Sequence, residues 1–157
     1  MKRTLYLRNL QKKVKIDITE IKRKVSFLLE KEDLNIKILG IIFLDNEKII
    51  EYNKRYLGKN CPTDVLSFPL QKGEGEILIS VERAKEQAPS FGTSLEEEIY
   101  LLIIHGLLHL IGFDDRNPKE VERMRREEKR LLKLCYEEDD SGWEFWCRFA
   151  GTILLSA

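Results

Sequence analysis

The fold of this chain is decided by one apolar segment, Ser94–Asp115, which reads SLEEEIYLLIIHGLLHLIGFDD. Ser94 and Glu97 have the spacing of a capping box, and three glutamates fill the first turn, where the helix dipole favours negative charge. From Ile99 to Ile111 the segment is apolar on nearly every side, which predicts a central helix that is buried all round. We therefore expect the sheet and the other helices to pack around it.

The two histidines of the chain, His105 and His109, lie on this helix four residues apart. Residues at i and i+4 project from one helical face, so both imidazoles can reach the same ion. Gly112 is a typical helix stop, and Asp115 follows it with a carboxylate that a turn can bring back toward the histidines. Two imidazoles, one carboxylate and a fourth position for water are a known ligand set of catalytic zinc sites. The spacing predicts a metal site formed by His105, His109 and Asp115.

The histidines and two neighbouring residues, Gly106 and Asp114, also have a purely structural interpretation. A histidine on an apolar helix is often a core residue with a hydrogen-bonded ring, although the glycine and aspartate at matching offsets favour the metal. Gly106 in mid-helix costs about 1 kcal/mol relative to alanine, which predicts either close approach of a backbone or substrate, or simple helix–helix packing. Asp114 either orients a ligand or accepts a proton, or is a turn residue at the helix end.

The 157 residues carry 27 basic and 27 acidic side chains, so the formal net charge is zero. Residues 1–24 nevertheless hold nine lysines and arginines against Asp17 and Glu20, and this basic segment is a candidate for phosphate contacts or a solvated surface. Three cysteines without a C-x-x-C pair predict reduced thiols. With no secretory signal and no apolar run of membrane-spanning length, we expect a cytoplasmic protein.

The remaining pattern mixes strands and helices without regular β–α–β alternation, so the expected fold class is α+β. The candidate strands are 4–9, 34–44, 65–70 and 76–80, the last preceded by a Gly73-Glu74-Gly75 turn. The other candidate helices follow Asp17, Asp45 and Asn117, with a short one from Val81 to Ala88 that ends at Pro89. We expect a single domain in which a small mixed sheet packs with helices around the metal-binding helix.

Residues 1–140 are expected to form this domain, and 141–157 an amphipathic C-terminal extension packed on the domain or on a partner. The helix after Asn117 has a narrow apolar face, and the rest of its surface is expected to be charged and solvated. The residues of that face are Val121, Met124, Leu131 and Leu134.

Three motifs together resemble those of the bacterial YbeY family: Cys61–Pro69 (CPTDVLSFP), Gly75–Ser80 (GEILIS) and His105–Asp114 (HGLLHLIGFD). They occur in the family's order, and the resemblance covers roughly residues 34–134. It implies a metal-dependent endoribonuclease that acts on single-stranded RNA in ribosomal RNA processing and ribosome maturation. The implied partners are ribosomal RNA and the ribosome or ribosomal proteins, without a membrane, and the implied cofactor is one zinc ion per chain.

The chain departs from this family's pattern at two positions. The third metal ligand of the family is usually a histidine, and the matching residue here is Asp115, which also binds zinc but weakens its Lewis acidity. Family members often have an arginine where this chain has Leu57, so neighbouring basic residues are expected to hold phosphate instead. The expected substrate-binding residues are Lys54, Arg55, Lys59, Thr63, Asp64 and Ser67.

Two other functions stay open. The metal spacing is also similar to that of metzincin peptidases, in which a glutamate after the first histidine is the general base; here that position is Gly106. The same glycine leaves the water-activating group of the nuclease unidentified, with Asp114 as a candidate. The other alternative is a non-catalytic ribosome-associated factor with a structural metal, although three ligands without a thiolate favour an open catalytic site.

Overall fold

The computed structural model describes residues 2–61 and 63–136. Within this part the strands are β1 (Thr4–Asn9), β2 (Ile38–Leu44), β3 (Val65–Pro69) and β4 (Glu74–Ser80). The helices are α1 (Ile18–Glu32), α2 (Asn46–Leu57), α3 (Val81–Phe91), α4 (Leu95–Leu110) and α5 (Pro118–Cys135). The described residues confirm the α+β class, whereas the predicted extension, 141–157, lies outside them. Among the described helices, none combines the length and apolar character that crossing a membrane requires.

The strands form one mixed sheet in the order β1-β2-β4-β3. The first three are parallel to one another, and β3 runs antiparallel to β4 at the edge of the sheet. Because successive side chains of a strand point to opposite faces, Val65 and Ser67 lie on one face of β3, and Leu66 and Phe68 on the other. The edge strand therefore presents different residues to the two sides of the sheet.

Two hydrophobic cores cover the two faces. The larger core joins the sheet to α1, α3, α4 and α5, and its sheet residues are Leu39, Ile41, Phe43, Ile77 and Ile79. The smaller core lies under α2 and contains Leu44, Ile49, Leu66 and Leu78. The centre of α4 lies inside the larger core, since Ile99, Ile103 and Leu107 are at most 1% exposed. This confirms the prediction of a central, buried helix.

Short polar side chains start all five described helices. In each case the N-cap oxygen accepts a hydrogen bond from the backbone N–H three residues later, which satisfies a donor that the helix leaves unpaired. The caps are Asp17, Asp45, Ser80, Ser94 and Asn117. At α4 the capping box is complete, because Glu97 Oε2 also accepts from the Ser94 N–H at 2.8 Å. The predicted starts of these helices are confirmed.

The predicted end of α3 at Pro89 is wrong, because the helix continues to Phe91. Pro89 lies in the last turn, where the missing N–H removes only one helical hydrogen bond. The helix ends instead at Gly92, which has φ 68° and donates its N–H to the carbonyls of Ala88 and Pro89. A left-handed glycine is the stronger stop here.

The predicted Gly73-Glu74-Gly75 turn is also displaced. Glu74 and Gly75 belong to β4, and the turn occupies residues 71–73. Glu74 closes the turn, because its N–H donates to the Gln71 carbonyl at 2.9 Å and its carbonyl accepts from the Leu70 N–H at 3.0 Å. Glu74 is therefore the first residue of β4, where it pairs with Ile38 of β2, rather than a turn residue.

Two basic residues of the N-terminal segment make contacts within the folded domain. Lys24 is 4% exposed, and its Nζ lies 4.0 Å from the centre of the Tyr136 ring in a cation–π contact. Arg3 donates to the Asp33 carboxylate at 2.7 Å and to the Leu34 carbonyl at 2.8 Å. The expectation of a solvated face is therefore wrong at Lys24, because its long stem packs against the core.

Candidate metal centre

The predicted ligands meet at the C-terminal end of α4. The helix ends at Leu110, and Gly112 then takes φ 107°, a conformation that favours glycine and that redirects the chain. The chain returns Asp115 to the helix, so one possible ligand atom from each of His105, His109 and Asp115 lies within 4.8 Å of the others. We call these three residues the ligand group.

The distances in the ligand group suit a small cation. The two Nε2 atoms of His105 and His109 lie 3.1 Å apart, and His109 Nε2 lies 3.9 Å from Asp115 Oδ2. Ligand atoms about 2.0 Å from a tetrahedral zinc are about 3.3 Å apart, so only a small movement of Asp115 is needed. Its side chain is 55% exposed and has room to move. Two imidazoles and a carboxylate fit zinc and leave a fourth position for water or substrate.

Glu128 of α5 orients the first histidine. Its Oε1 lies 2.5 Å from His105 Nδ1, and Glu128 is only 9% exposed. A hydrogen bond donated by Nδ1 leaves Nε2 available to the ligand group, as in many carboxylate–histidine–metal arrangements. Burial lowers the pKa of His105, but the hydrogen bond and charge of Glu128 raise it. The charges of Asp64 and Asp115 add to the rise, and the net pKa is above its ordinary value.

Glu128 was not predicted as a site residue, because it was expected to lie on the solvated surface of α5. Glu128 follows Met124 by four residues and precedes Leu131 by three, so all three lie on the buried face. A carboxylate inside an apolar stripe needs a partner, because an unpaired buried charge is costly. That position in the stripe was the signal that would have identified it.

Gly106 lets α4 approach the sheet closely. A Cβ at this position would lie 2.9 Å from Ile77 Cγ2 and 3.0 Å from Ser67 Oγ. Ser67 Oγ donates a hydrogen bond to the Gly106 carbonyl at 3.0 Å. The glycine therefore serves helix–sheet packing, and the end of the segment Thr63–Ser67 lies against α4 as expected.

Asp64 lies on the same side of the sheet as α4. Its Oδ2 accepts a hydrogen bond from Gln87 Nε2 at 3.2 Å, and the same nitrogen donates to Glu98 Oε1 at 2.7 Å. Asp64 is within electrostatic reach of His105, whose pKa it raises, but it does not belong to the ligand group. Thr63 precedes it and is half-buried. No role was predicted for Gln87. Glu98 was predicted only to interact favourably with the dipole of its helix.

The predicted basic contacts are exposed and lie at the end of α2 or just after it: Lys54, Arg55 and Lys59. Ser67 faces α4, whereas the next residue, Phe68, contacts Tyr56 of α2 with ring centres 5.4 Å apart. Lys54 and Arg55, which belong to α2, therefore lie across the edge strand from α4. Their contact with substrate stays a prediction.

Asp114 has the contacts of a turn residue. Its Oδ1 accepts from the Asp115 N–H at 2.7 Å, and its other oxygen pairs with Arg116. The residue is not part of the ligand group. These contacts support the turn interpretation over a role as proton acceptor.

The fold and this site together define an α+β protein with a candidate metal centre. The family model described as Endoribonuclease YbeY matches residues 6–135, which is most of the chain. The chain belongs to this family. The resemblance that the three sequence motifs indicated is confirmed.

Curated relatives and one solved structure agree with this assignment. The Endoribonuclease YbeY of Syntrophus aciditrophicus is 41% identical over 147 residues, which cover 87% of this chain and 92% of the relative. That of Carboxydothermus hydrogenoformans is 39% identical over 132 residues, which cover 79% and 92%. The solution structure of a Thermotoga maritima protein has a TM-score of 0.66 at 28% identity and covers 88% of this chain and 93% of its own. The family names support an endoribonuclease activity.

Proposed function

We propose that this protein is a zinc-dependent endoribonuclease that cuts single-stranded RNA during ribosomal RNA processing and ribosome maturation in the cytoplasm. The observation that carries the proposal is the convergence of His105, His109 and Asp115 in a chain of the Endoribonuclease YbeY family. The partners are ribosomal RNA and the ribosome or ribosomal proteins.

The residues of the site have separable tasks. His105, His109 and Asp115 would hold one zinc ion, which as a Lewis acid would lower the pKa of a bound water and offset charge on the phosphate. Glu128 keeps the His105 ring in one orientation. Ser67 and Gly106 fix the distance between β3 and α4, and so the width of the site on that side.

An extended single strand suits the position of the basic residues. A segment that crosses the edge strand β3 can contact the ligand group on one side and Lys54, Arg55 and Lys59 on the other. Phosphate contacts of this kind release counterions, so RNA binding should weaken steeply as salt is raised. Sequence-independent contacts to an extended backbone also favour single strands over duplexes.

The peptidase alternative lacks its general base. Gly106 occupies the position of the metzincin glutamate, and there the space is filled by Ile77 and Ser67. The non-catalytic alternative is less well supported by the ligand set, because two imidazoles and an exposed carboxylate leave a position open.

The proposal is tested with zinc-loaded protein, a labelled single-stranded RNA, the same RNA as a duplex, and casein. We expect cleavage of the single strand, little cleavage of the duplex and none of casein. His109→Ala, purified in parallel, controls for contaminating nucleases. Equal RNA cleavage by that variant would refute the enzymatic assignment and favour the ribosome-associated factor.

A further inference from the structure

Three polar side chains form a network behind the ligand group: Gln87 of α3, Glu98 of α4 and Asp64, which precedes β3. Gln87 Nε2 donates to Glu98 Oε1 at 2.7 Å and to Asp64 Oδ2 at 3.2 Å. A side-chain amide nitrogen carries two hydrogens, so it can make both bonds at once. One side chain therefore ties two carboxyl groups from different elements together.

Glu98 is the buried anchor of this network. It is 1% exposed, and its Oε2 accepts from the Thr93 hydroxyl at 3.2 Å. Burial raises the pKa of Glu98, because a charge is poorly solvated there. An apolar side chain would fill this core position of α4 without the cost of desolvation. The carboxyl group therefore points to a task other than packing.

The network fixes Asp64 on the histidine side of α4. Glu98 precedes His105 by seven residues, or two helical turns, so both project from the same face of the helix. The Asp64 carbonyl accepts from the Ser80 N–H at 2.9 Å, which holds its backbone at the end of β4. The charge of Asp64 acts on both Glu98 and His105. Asp64 is thus close to the ligand group without belonging to it.

One oxygen of Asp64 is free to act. Its Oδ2 is held by Gln87, and no group among residues 2–61 and 63–136 hydrogen-bonds to Oδ1. Asp114, another carboxylate near the site, is engaged by Arg116 and by the Asp115 N–H, and Glu128 is engaged by His105. Position 106, where a peptidase has its base, is a glycine. Of these positions, only Asp64 offers a free carboxylate oxygen that is not already assigned to a metal.

We propose that Asp64 is the proton acceptor of RNA cleavage and that Gln87 and Glu98 are positioning residues that hold its carboxylate toward the ligand group. This inference rests on the proposed function. The O–H bond of the attacking water breaks, its proton passes to Asp64, and the water oxygen bonds to phosphorus. The P–O bond to the leaving nucleoside breaks with its electron pair on that oxygen, which takes a proton from solvent.

The positioning half is tested without any activity, by crystal structures of metal-free wild type, Gln87→Ala and Glu98→Gln. In Glu98→Gln the amide oxygen still accepts from Gln87, so the Asp64 carboxylate should keep its place. In Gln87→Ala it should turn away from α4. If Gln87→Ala does not fold, Gln87→Met keeps the volume and removes the donor. An unmoved Asp64 carboxylate in a variant without the Gln87 donor refutes the positioning role.

The catalytic half is tested by single-turnover cleavage and by RNA affinity. Asp64→Asn should lower the cleavage rate about 100-fold or more, with zinc content and RNA affinity unchanged. Gln87→Ala should lower the rate about 10-fold, whereas Glu98→Gln should retain most of the wild-type rate. The control is Gln71→Ala, because Gln71 is exposed in the β3–β4 turn. A wild-type rate in Asp64→Asn overturns the proposal. Wild-type protein that cuts no RNA refutes the proposed function instead, whatever the crystal structures show for Asp64.

Discussion

Nδ1 of His105 and Oε1 of Glu128 lie 2.5 Å apart, although the two residues are 23 positions apart and belong to different helices. Glu128 is 9% exposed, so water competes little for this contact. The contact fixes the ring so that Nε2 faces His109. A metal ion bound there would depend on a carboxylate that is not itself in the ligand group.

Replacing Glu128 should weaken zinc binding. Glu128→Gln keeps the volume but removes the charge that supports the His105 N–H, and loss of such a partner typically costs about 10- to 100-fold in affinity. A competition titration against a chromophoric chelator measures the effect. Glu127→Gln is the matched control, because Glu127 pairs with Arg130 on the surface of α5. Wild-type affinity in Glu128→Gln would contradict the role of the contact.

Zinc should stabilise the native protein through the histidine pair. A ligand that binds only the folded state at a hundred times its Kd adds about 2.7 kcal/mol to the free energy of unfolding, so the Tm of the wild type should rise with zinc. His105→Ala should show no such rise. Asp114→Asn should keep it, because Asp114 lies outside the ligand group. A zinc-dependent rise in His105→Ala would place the metal elsewhere.

Local sequence signals predicted the helices well and the long-range contacts poorly. Ser94, Glu97 and the apolar run after them act within one helix, so α4 and its histidine pair could be predicted from spacing. The order β1-β2-β4-β3 depends on pairing between strands far apart in the chain, which no local pattern specifies. The same holds for the hydrogen bonds from His105 to Glu128 and from Gln87 to Asp64. Asp115 could be predicted because it follows the helix stop, Gly112, by only three residues.

Adding a methyl group at Gly106 should destabilise the fold. Alanine gains about 1 kcal/mol in helix propensity over glycine, but its Cβ would lie 2.9 Å from Ile77 Cγ2, and overpacking of a core costs about 1–3 kcal/mol. Gly106→Ala should therefore have a lower Tm than the wild type. Thermal denaturation of the metal-free proteins measures the difference. A higher Tm would show that α4 and β4 are not in tight contact here.

The stability cost of Glu98 should depend on pH. Burial raises the pKa of Glu98 above its ordinary value of 4.5, against the opposing hydrogen bonds from Gln87 and Thr93. A group whose folded pKa is raised contributes stability below its unfolded pKa and loses that contribution as the pH rises through the folded pKa. The Tm of metal-free Glu98→Gln, relative to wild type, should therefore increase as the pH rises above about 4.5. If the difference in Tm between Glu98→Gln and wild type stayed constant from acid to neutral pH, the raised pKa of Glu98 would be contradicted.

A zinc titration tests most directly whether RNA cleavage by this protein requires one metal ion in the ligand group. Chelator-treated wild type and His109→Ala receive increasing zinc while the cleavage of single-stranded RNA is followed. We expect no cleavage without zinc and no cleavage by His109→Ala at any zinc concentration. The wild-type rate should rise linearly with added zinc and level off at one zinc per chain. Full cleavage by zinc-free wild type, or equal rates in the two proteins, would contradict this requirement.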